Sequence, residues 1–291
     1  YVVINLPSSS CRMASNRLTR GQVETVFKKG KVSSSFEPLK VSDLIETLNH
    51  CMCVDYILDH IQEPLTQKFI QNLHYMLMIG TIDERKERGT PGEYRTDRMK
   101  PRNRQLLPAK KINSSLGELL REYEARKRVD RSIILDFHVR FEQIFPFEDG
   151  NGRVGRLIMF KECLRYDVIP FIIDDKRRTD YLEGIRQWDQ DRSILTDIVL
   201  DCQARFEAQI ALQNLRIEIL GQIFYASFMV YNALPTGAGH PMFALFSSLL
   251  NCIVVRVVLA LILNHTMGLV GIFWACAIAP ASSVPLGYVY E

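Results

Sequence analysis

Charged residues are almost absent from the last quarter of this 291-residue chain. Of the 36 Lys and Arg residues, 35 lie before residue 219, as do 32 of the 33 Asp and Glu residues. Residues 219–290 therefore carry a single charged side chain, Arg256. Three apolar runs fill this tail, at about 219–234, 242–263 and 267–290. Because a bilayer span needs about 20 largely apolar residues, the second and third runs qualify and the first is marginal.

Paired cysteines and strong net charge are also missing. The seven cysteines show no paired spacing and no secretory signal precedes them, which indicates reduced thiols and a cytoplasmic location for the charged part. Cys51 and Cys53 lie two apart in a helical pattern, so they face apart and a metal site is disfavoured. A net charge of +3, with basic and acidic residues interleaved, argues against a nucleic-acid partner.

An alternating strand and helix rhythm is absent, and apolar residues recur instead at helical spacing. Such stripes occur at 41–58, where Ser42 is a candidate cap, at 65–77, at 116–123 and at 194–215. The pattern predicts a mainly all-α bundle. We expect three parts: an N-terminal segment at 1–40, a folded domain at 41–215 and a hydrophobic helical tail at 216–291.

The run from Ile144 to Arg156 is the most informative segment of the charged part. A helical stripe ends at Ile144, Pro146 and two glycines predict a tight turn, and a second helical stripe follows. Gly150 and Gly152 allow backbone N–H groups to approach an anion, at the positive end of the new helix. Arg153 and Arg156 lie three apart and share a helix face, from which both can reach phosphate oxygens. Asp149 is suited to a divalent cation bound to those oxygens.

The complete run from Phe145 to Arg156 resembles the signature HxFx(D/E)GNGRxxR of the Fic (Fido) family at every specified position except the first. The resemblance implies AMP transfer from ATP to a hydroxyl side chain of a target protein, with Mg²⁺ bound. Phe147 would anchor the loop and Asp149 would hold Mg²⁺. The resemblance further implies an anion hole formed by Gly150, Asn151 and Gly152, with Arg153 and Arg156 on the outer phosphates.

The family's catalytic His falls on Phe145, which has no proton-accepting atom. General base catalysis contributes about 10²–10⁴-fold, so we expect retained nucleotide binding with transfer weakened by that factor or more. His138 precedes Phe145 by seven residues, or about 10 Å along a helix axis, which is too far for direct proton transfer. We expect His138 to be a packed or hydrogen-bonded core residue.

Two further segments extend the resemblance. Gly92, Tyr94 and Arg95 resemble the family's G-x-Y-R at the base of the flap, a small β-hairpin between about 96 and 111 that would align a target protein by strand pairing. The alternative for this basic stretch is a solvated loop.

The inhibitory motif [S/T]xxxE[G/N] of some Fic proteins aligns with residues 10–15, which contain Ser10, Ala14 and Ser15. Ala14 replaces the Glu, so we expect Arg156 to lack an internal partner and the pocket to be open.

The tail carries a second, looser resemblance. Gly239-His240-Pro241, Ser247-Ser248-Leu249-Leu250, Arg256 and the stretch 268–275 resemble the last helices of a multidrug and toxin extrusion (MATE) transporter. Two or three spans cannot build the central cavity of such a carrier. A membrane anchor through 219–290 or a junction of unrelated segments therefore explains the tail better, and a buried soluble hairpin is the alternative.

Three functions remain open from the sequence. The first is a Fic-type adenylyltransferase impaired by Phe145, and the second is an ATP-binding pseudoenzyme that regulates a partner without turnover. The third is a membrane transporter fragment, which only the tail supports.

Overall fold

The computed structural model describes residues 2–31, 40–81, 89–97, 106–239, 241–267 and 269–282. Within these ranges the regular structure is helical and no β-strand occurs, so the predicted all-α class is confirmed. Residues 98–105, where most of the flap hairpin was expected, lie outside the described residues. The flap therefore stays a prediction.

The described helices follow one another along the chain. Their bounds are α1 (Val2–Met13), α2 (Arg20–Lys29), α3 (Val41–Asp59), α4 (Gln67–Met78), α5 (Ala109–Glu124), α6 (Arg131–Ile144), α7 (Asn151–Arg165), α8 (Arg178–Gln187), α9 (Ser193–Gly237), α10 (Pro241–Leu249), α11 (Arg256–Met267) and α12 (Leu269–Ile278). A π-helical segment (Leu250–Val255) lies between α10 and α11, and short 3-10 turns occur at Asp175–Arg177 and Ala279–Ser282.

Side-chain caps fix several helix starts. Asp130 accepts a hydrogen bond from the Ile133 N–H at 3.0 Å and begins α6, and Thr66 accepts from the Phe69 N–H at 3.1 Å and begins α4. Each such cap contributes about 1 kcal/mol. The prediction that Ser42 caps α3 was wrong. The N-cap is Lys40, which makes no side-chain cap, because the helix begins at Val41, two residues earlier than a Ser42 cap would require.

The first of two compact units, residues 1–206, is built around α7. Helices α1, α3, α4 and α6 all pack against α7, which is why nearly every side chain of α7 is buried, including its polar ones. Gly155 permits the close approach of α6, since a Cβ atom at this position would lie 2.8 Å from the ring of His138. Helix α7, which carries Arg153 and Arg156, therefore lies at the center of the core of this unit.

The N-terminal segment is part of this unit. Ile4, Leu18, Val23 and Cys51 form a small buried cluster that joins α1 and α2 to α3. Burying aliphatic side chains of this size contributes about 1.5–3 kcal/mol each. Helix α1 is thereby held against α3 and α7, where its C-terminal turn meets the start of α7.

The second compact unit comprises residues 207–291, and the boundary falls within α9. The predicted helix at 194–215 is longer in the structure and includes the first apolar run. Many large apolar side chains of this unit are more than a third exposed, among them Ile219, Met229, Phe246 and Leu261. Among the described residues, no helix combines the length and the apolar character needed to cross a bilayer.

Candidate active site

The anion loop, residues 145–150, connects α6 to α7 and is held in shape by its own side chains. Phe147 is fully buried and anchors the turn in the core. Asn151, the first residue of α7, donates from Nδ2 to the Phe147 carbonyl at 2.8 Å and accepts from the Phe147 N–H at 2.9 Å. The side chain of Asn151 is thus occupied in bracing the loop, and only its backbone remains for the anion hole that the resemblance implies.

Gly150 forms the N-cap of α7 in a left-handed conformation with φ of 78°. Because glycine has no side chain, the first N–H groups of α7 receive no side-chain cap. A Cβ atom here would also meet the Met78 sulfur at 3.2 Å and His74 at 3.4 Å. The helix start, including Gly152, is therefore shaped to leave backbone donors for an anion.

Phe145 is the first residue of the anion loop. It is the C-cap residue of α6, and its left-handed backbone (φ 49°, ψ 64°) is uncommon for a residue with a side chain. Its carbonyl oxygen accepts from Arg95 Nε at 2.8 Å. The side chain is half-buried and presents only carbon to the loop, so no proton acceptor exists at this position.

Arg153 is buried on the first turn of α7 and is held by two carboxylates. Its Nη1 donates to Glu46 of α3 at 2.9 Å, and its Nη2 donates to Asp149. Asp149 is about half exposed, whereas Glu46 is mostly buried. The guanidinium is 3% exposed, so the ion pair with Glu46 forms where water screens it weakly.

Arg156 does have an internal partner, and the expectation that it would lack one was wrong. Its Nε donates to Ser10 Oγ at 2.9 Å and its Nη2 donates to the Ser10 carbonyl at 3.1 Å. The guanidinium also lies 5.9 Å from the ring center of Tyr181. The reason is that α1 packs against α7 through its apolar side chains, which places Ser10 beside Arg156 without any need for a carboxylate.

The degenerate inhibitory motif lies at the C-terminal end of α1. Ala14 is exposed in the turn after Met13, and Ser15 has a positive φ of 75° at the position where the motif has Gly or Asn. Asn16 fixes the turn by donating to the Asp43 carbonyl at 2.8 Å and to Thr47 Oγ1 at 3.2 Å. The turn is therefore formed and docked on α3 although its Glu is missing.

The flap base, residues 92–95, is attached to the anion loop. Arg95, which is 4% exposed, donates its backbone N–H to the Pro146 carbonyl at 2.8 Å, in addition to its bond to Phe145. Tyr94 donates to Gln67 Oε1 at 3.0 Å, with its ring 5.6 Å from that of Phe147. The structure thus brings Tyr94 and Arg95 together with the loop.

Three buried histidines surround the site. His138 is a hydrogen-bonded core residue, with Nε2 2.6 Å from Tyr181 Oη, and burial lowers its pKa to about 3. Burial, with Arg156 and Arg153 nearby, lowers the pKa of His50 to about 3. Burial lowers the pKa of His74 to about 4. All three rings are neutral near pH 7, as their enclosure beside cationic guanidinium groups requires.

Sequence analysis missed His74 and Glu46. His74 lies in the apolar stripe of α4, and Glu46 is one of several carboxylates in α3, so neither stands out by type or spacing. Both residues reach the site only through tertiary packing, where α3 and α4 meet the start of α7.

A magnesium nucleotide is compatible with the donors at this site. Asp149 offers an exposed carboxylate beside an uncapped helix start, and hard oxygen ligands are those that Mg²⁺ prefers when it bridges phosphates. Arg153 and Arg156 supply the positive charge that a polyphosphate requires. The charge and the donor types fit the group.

The comparisons with known proteins agree with this geometry. The Fic/DOC family model matches residues 64–163, a segment that contains α4, the flap base and the whole anion loop. No curated protein sequence matches the chain.

Solved structures of three Fic proteins share the fold. A Fic domain containing signaling protein from Bacteroides thetaiotaomicron is 21% identical with a TM-score of 0.61, covering 70% of this chain and 84% of that one. A Fic family protein from Desulfovibrio desulfuricans is 22% identical with a TM-score of 0.58, covering 72% and 65%. Fic-1 from C. elegans is 15% identical with a TM-score of 0.59, covering 72% and 62%. The family model thus matches the part of the chain that contains the anion loop, and the solved structures show the same fold.

Proposed function

We propose that residues 149–156 bind a magnesium nucleoside triphosphate, with ATP as the expected nucleotide. The proposal extends to a Fic-type adenylyltransferase whose transfer step onto a target protein's hydroxyl is weakened by Phe145. The single observation that carries it is the start of α7. There, two buried arginines, Arg153 and Arg156, flank a helix N-terminus whose capping residue is Gly150.

Each residue of the site has a part in this proposal. The uncapped N–H groups at 150–152 and the helix N-terminus would hold phosphate oxygens, with Arg153 and Arg156 neutralising their charge. Asp149 would bind Mg²⁺, which when bound balances charge on the phosphates. Asn151 and Phe147 keep the loop in one shape, and an unknown target protein would dock on the flap that begins at Gly92.

The weakness of the transfer step follows from the proton acceptors at the site. The attacking hydroxyl must lose a proton, and Phe145 offers no atom to take it. His138 Nε2 is engaged with Tyr181, and both ring nitrogens of His74 are within hydrogen-bond distance of backbone groups. His50 is fully buried. Because none of these presents a free acceptor at the loop surface, we expect transfer reduced by about 10²–10⁴-fold.

A pseudoenzyme that binds ATP and regulates a partner is the second candidate. Phe145 favours it, because a side chain without a proton acceptor can permit nucleotide binding while it prevents turnover. The two candidates share the binding site and differ only in turnover.

One experiment separates these candidates. Binding of ATP and auto-AMPylation are measured side by side on the full chain and on Phe145→His, with Mg²⁺ present. Restored labelling in the variant supports an impaired transferase, and binding without labelling in both supports the pseudoenzyme. Absence of binding in both rejects the site.

For the tail, the proposal is contact with a lipid bilayer through residues 219–290. Its support is the near absence of charge together with exposed apolar side chains such as Met229, Phe246 and Leu261. Flotation of the full chain with phosphatidylcholine vesicles tests it, and a chain that stays in the bottom fraction contradicts it. A transporter fragment stays a prediction from resemblance alone.

A further inference from the structure

His74 of α4 lies between the two parts of the candidate site. It is 4% exposed, and its ring stacks on Phe147 with centers 3.8 Å apart and planes inclined by 3°. The Gly92 N–H donates to Nδ1 at 2.9 Å, and Nε2 lies 3.1 Å from the Asp149 carbonyl. One imidazole therefore bridges the flap base to the phosphate-binding end of the anion loop.

The two partners of His74 determine its tautomer. A backbone N–H can only donate, so Nδ1 must be the unprotonated nitrogen. A carbonyl oxygen can only accept, so Nε2 must carry the proton. Each nitrogen then has a partner of the required polarity, and no other protonation form satisfies both bonds.

Arg95 makes a matching connection at the other end of the turn. Its bonds to Phe145 and Pro146 hold the N-terminal end of the loop, whereas His74 holds the end at Asp149. The flap base is thus attached on both sides of the loop, and a shift of one part must be transmitted to the other.

We propose that His74 is a positioning residue whose Nε2-protonated ring fixes the flap base and the anion loop in one geometry. Its role rests on the proposed function of the loop, because it couples a target protein on the flap to a nucleotide at α7. His74 does not touch the reacting groups. It acts through the Gly92 N–H and the Asp149 carbonyl.

Three substitutions separate its contributions. His74→Asn places an amide oxygen where Nδ1 lies and retains the acceptor for Gly92. His74→Gln places an amide nitrogen where Nε2 lies and retains the donor to Asp149. His74→Phe keeps a ring for stacking on Phe147 and loses both bonds. His60→Phe is the matched control, since His60 also stacks on a ring, that of Tyr56, and makes a bond to a backbone carbonyl.

The measurement is amide hydrogen exchange of the full chain without nucleotide. We expect exchange at Gly92 to rise about tenfold in His74→Phe and His74→Gln but to stay within about threefold in His74→Asn, the effect expected of one hydrogen bond. The amides of Phe147 and Val154, which are bonded to Asn151 Oδ1 and to the Gly150 carbonyl, should accelerate in His74→Phe and His74→Asn and keep the wild-type rate in His74→Gln. His60→Phe should change neither segment.

A second readout is the nitrogen spectrum of the His74 ring, in which protonated and unprotonated nitrogens differ. The proposal predicts a proton on Nε2 only. A proton on Nδ1, or equal exchange patterns in the Asn and Gln variants, would overturn it, because a merely space-filling ring gives no such division. Neither readout requires nucleotide, so a failure to bind ATP would reject the proposed function without changing the outcome of the His74 test.

Discussion

The two ends of the anion loop differ in what they retain. The end that leads into α7 has the glycine cap and the two buried arginines, which are groups suited to phosphate, and an exposed carboxylate suited to Mg²⁺. The end that leaves α6 has Phe145, whose side chain has no proton acceptor. Under the proposed function, nucleotide binding and turnover would therefore depend on separate residues only a few positions apart, and a chain could lose turnover and keep binding.

Phe145→His tests the separation of nucleotide binding from turnover, and it is the variant with the largest expected effect. If the rest of the site is intact, auto-AMPylation should rise by about 10²–10⁴-fold, because the loop regains a proton acceptor. Affinity for Mg-ATP should stay within about threefold. Phe145→Ala is the control and should give no gain, and a histidine variant as inactive as the wild type would show that turnover is lost elsewhere.

Acidification should lower the free energy of unfolding, because buried neutral histidines lie near the start of α7. His50 and His138 have pKa values of about 3 in the folded protein, against about 6.5 when unfolded. The unfolded state therefore takes up protons first, and stability is lost as the pH falls below about 6.5. Between pH 6 and 5 the two residues should lower the free energy of unfolding by about 2 kcal/mol.

Denaturant titrations at several pH values measure this dependence. His50→Phe should remove about a third of it, because His138 and His74 contribute as well. A wild-type stability that is flat from pH 7 to 5 would contradict the neutral buried state of these rings.

Glu46→Gln should strengthen nucleotide binding at the end of the loop that leads into α7. The Glu46 carboxylate holds Arg153 at 2.9 Å in a largely buried pair, and removing its charge weakens one of the contacts with which a phosphate would compete. We expect affinity for Mg-ATP to rise roughly tenfold, which is about 1.4 kcal/mol. Glu122→Gln breaks an exposed pair with Arg140 at 2.7 Å and should leave affinity unchanged. Weaker binding in Glu46→Gln would show that the pair supports the site instead of competing with phosphate.

Ser10→Ala should have the smallest effect on nucleotide affinity. It removes one of the two bonds that Ser10 makes to Arg156, so the free energy of unfolding should fall by about 1–2 kcal/mol while nucleotide affinity does not fall. Ser9→Ala, at the neighbouring half-buried position, is the control. Loss of nucleotide binding in Ser10→Ala alone would mean that α1 supports the pocket directly.

The sequence predicts the fold and the loop well for a physical reason. Helical spacing of apolar residues is a local property, and Gly150, Arg153 and Arg156 lie within the first two turns of one helix. The partners of those arginines are not local. Ser10 precedes Arg156 by 146 residues and Glu46 precedes Arg153 by 107, so only the packing of α1 and α3 on α7 reveals them. The missing Glu at Ala14 suggested an unpartnered Arg156, but a neighbouring serine takes its place.

The most direct test of phosphate binding at the start of α7 is a calorimetric titration of the full chain with Mg-ATP, repeated on Arg156→Gln. We predict saturable binding at one site by the wild type and binding weakened roughly tenfold or more in the variant, because one of two phosphate-binding charges is removed. No detectable binding by the wild type, or equal binding by both proteins, would contradict the claim that the start of α7 holds a triphosphate.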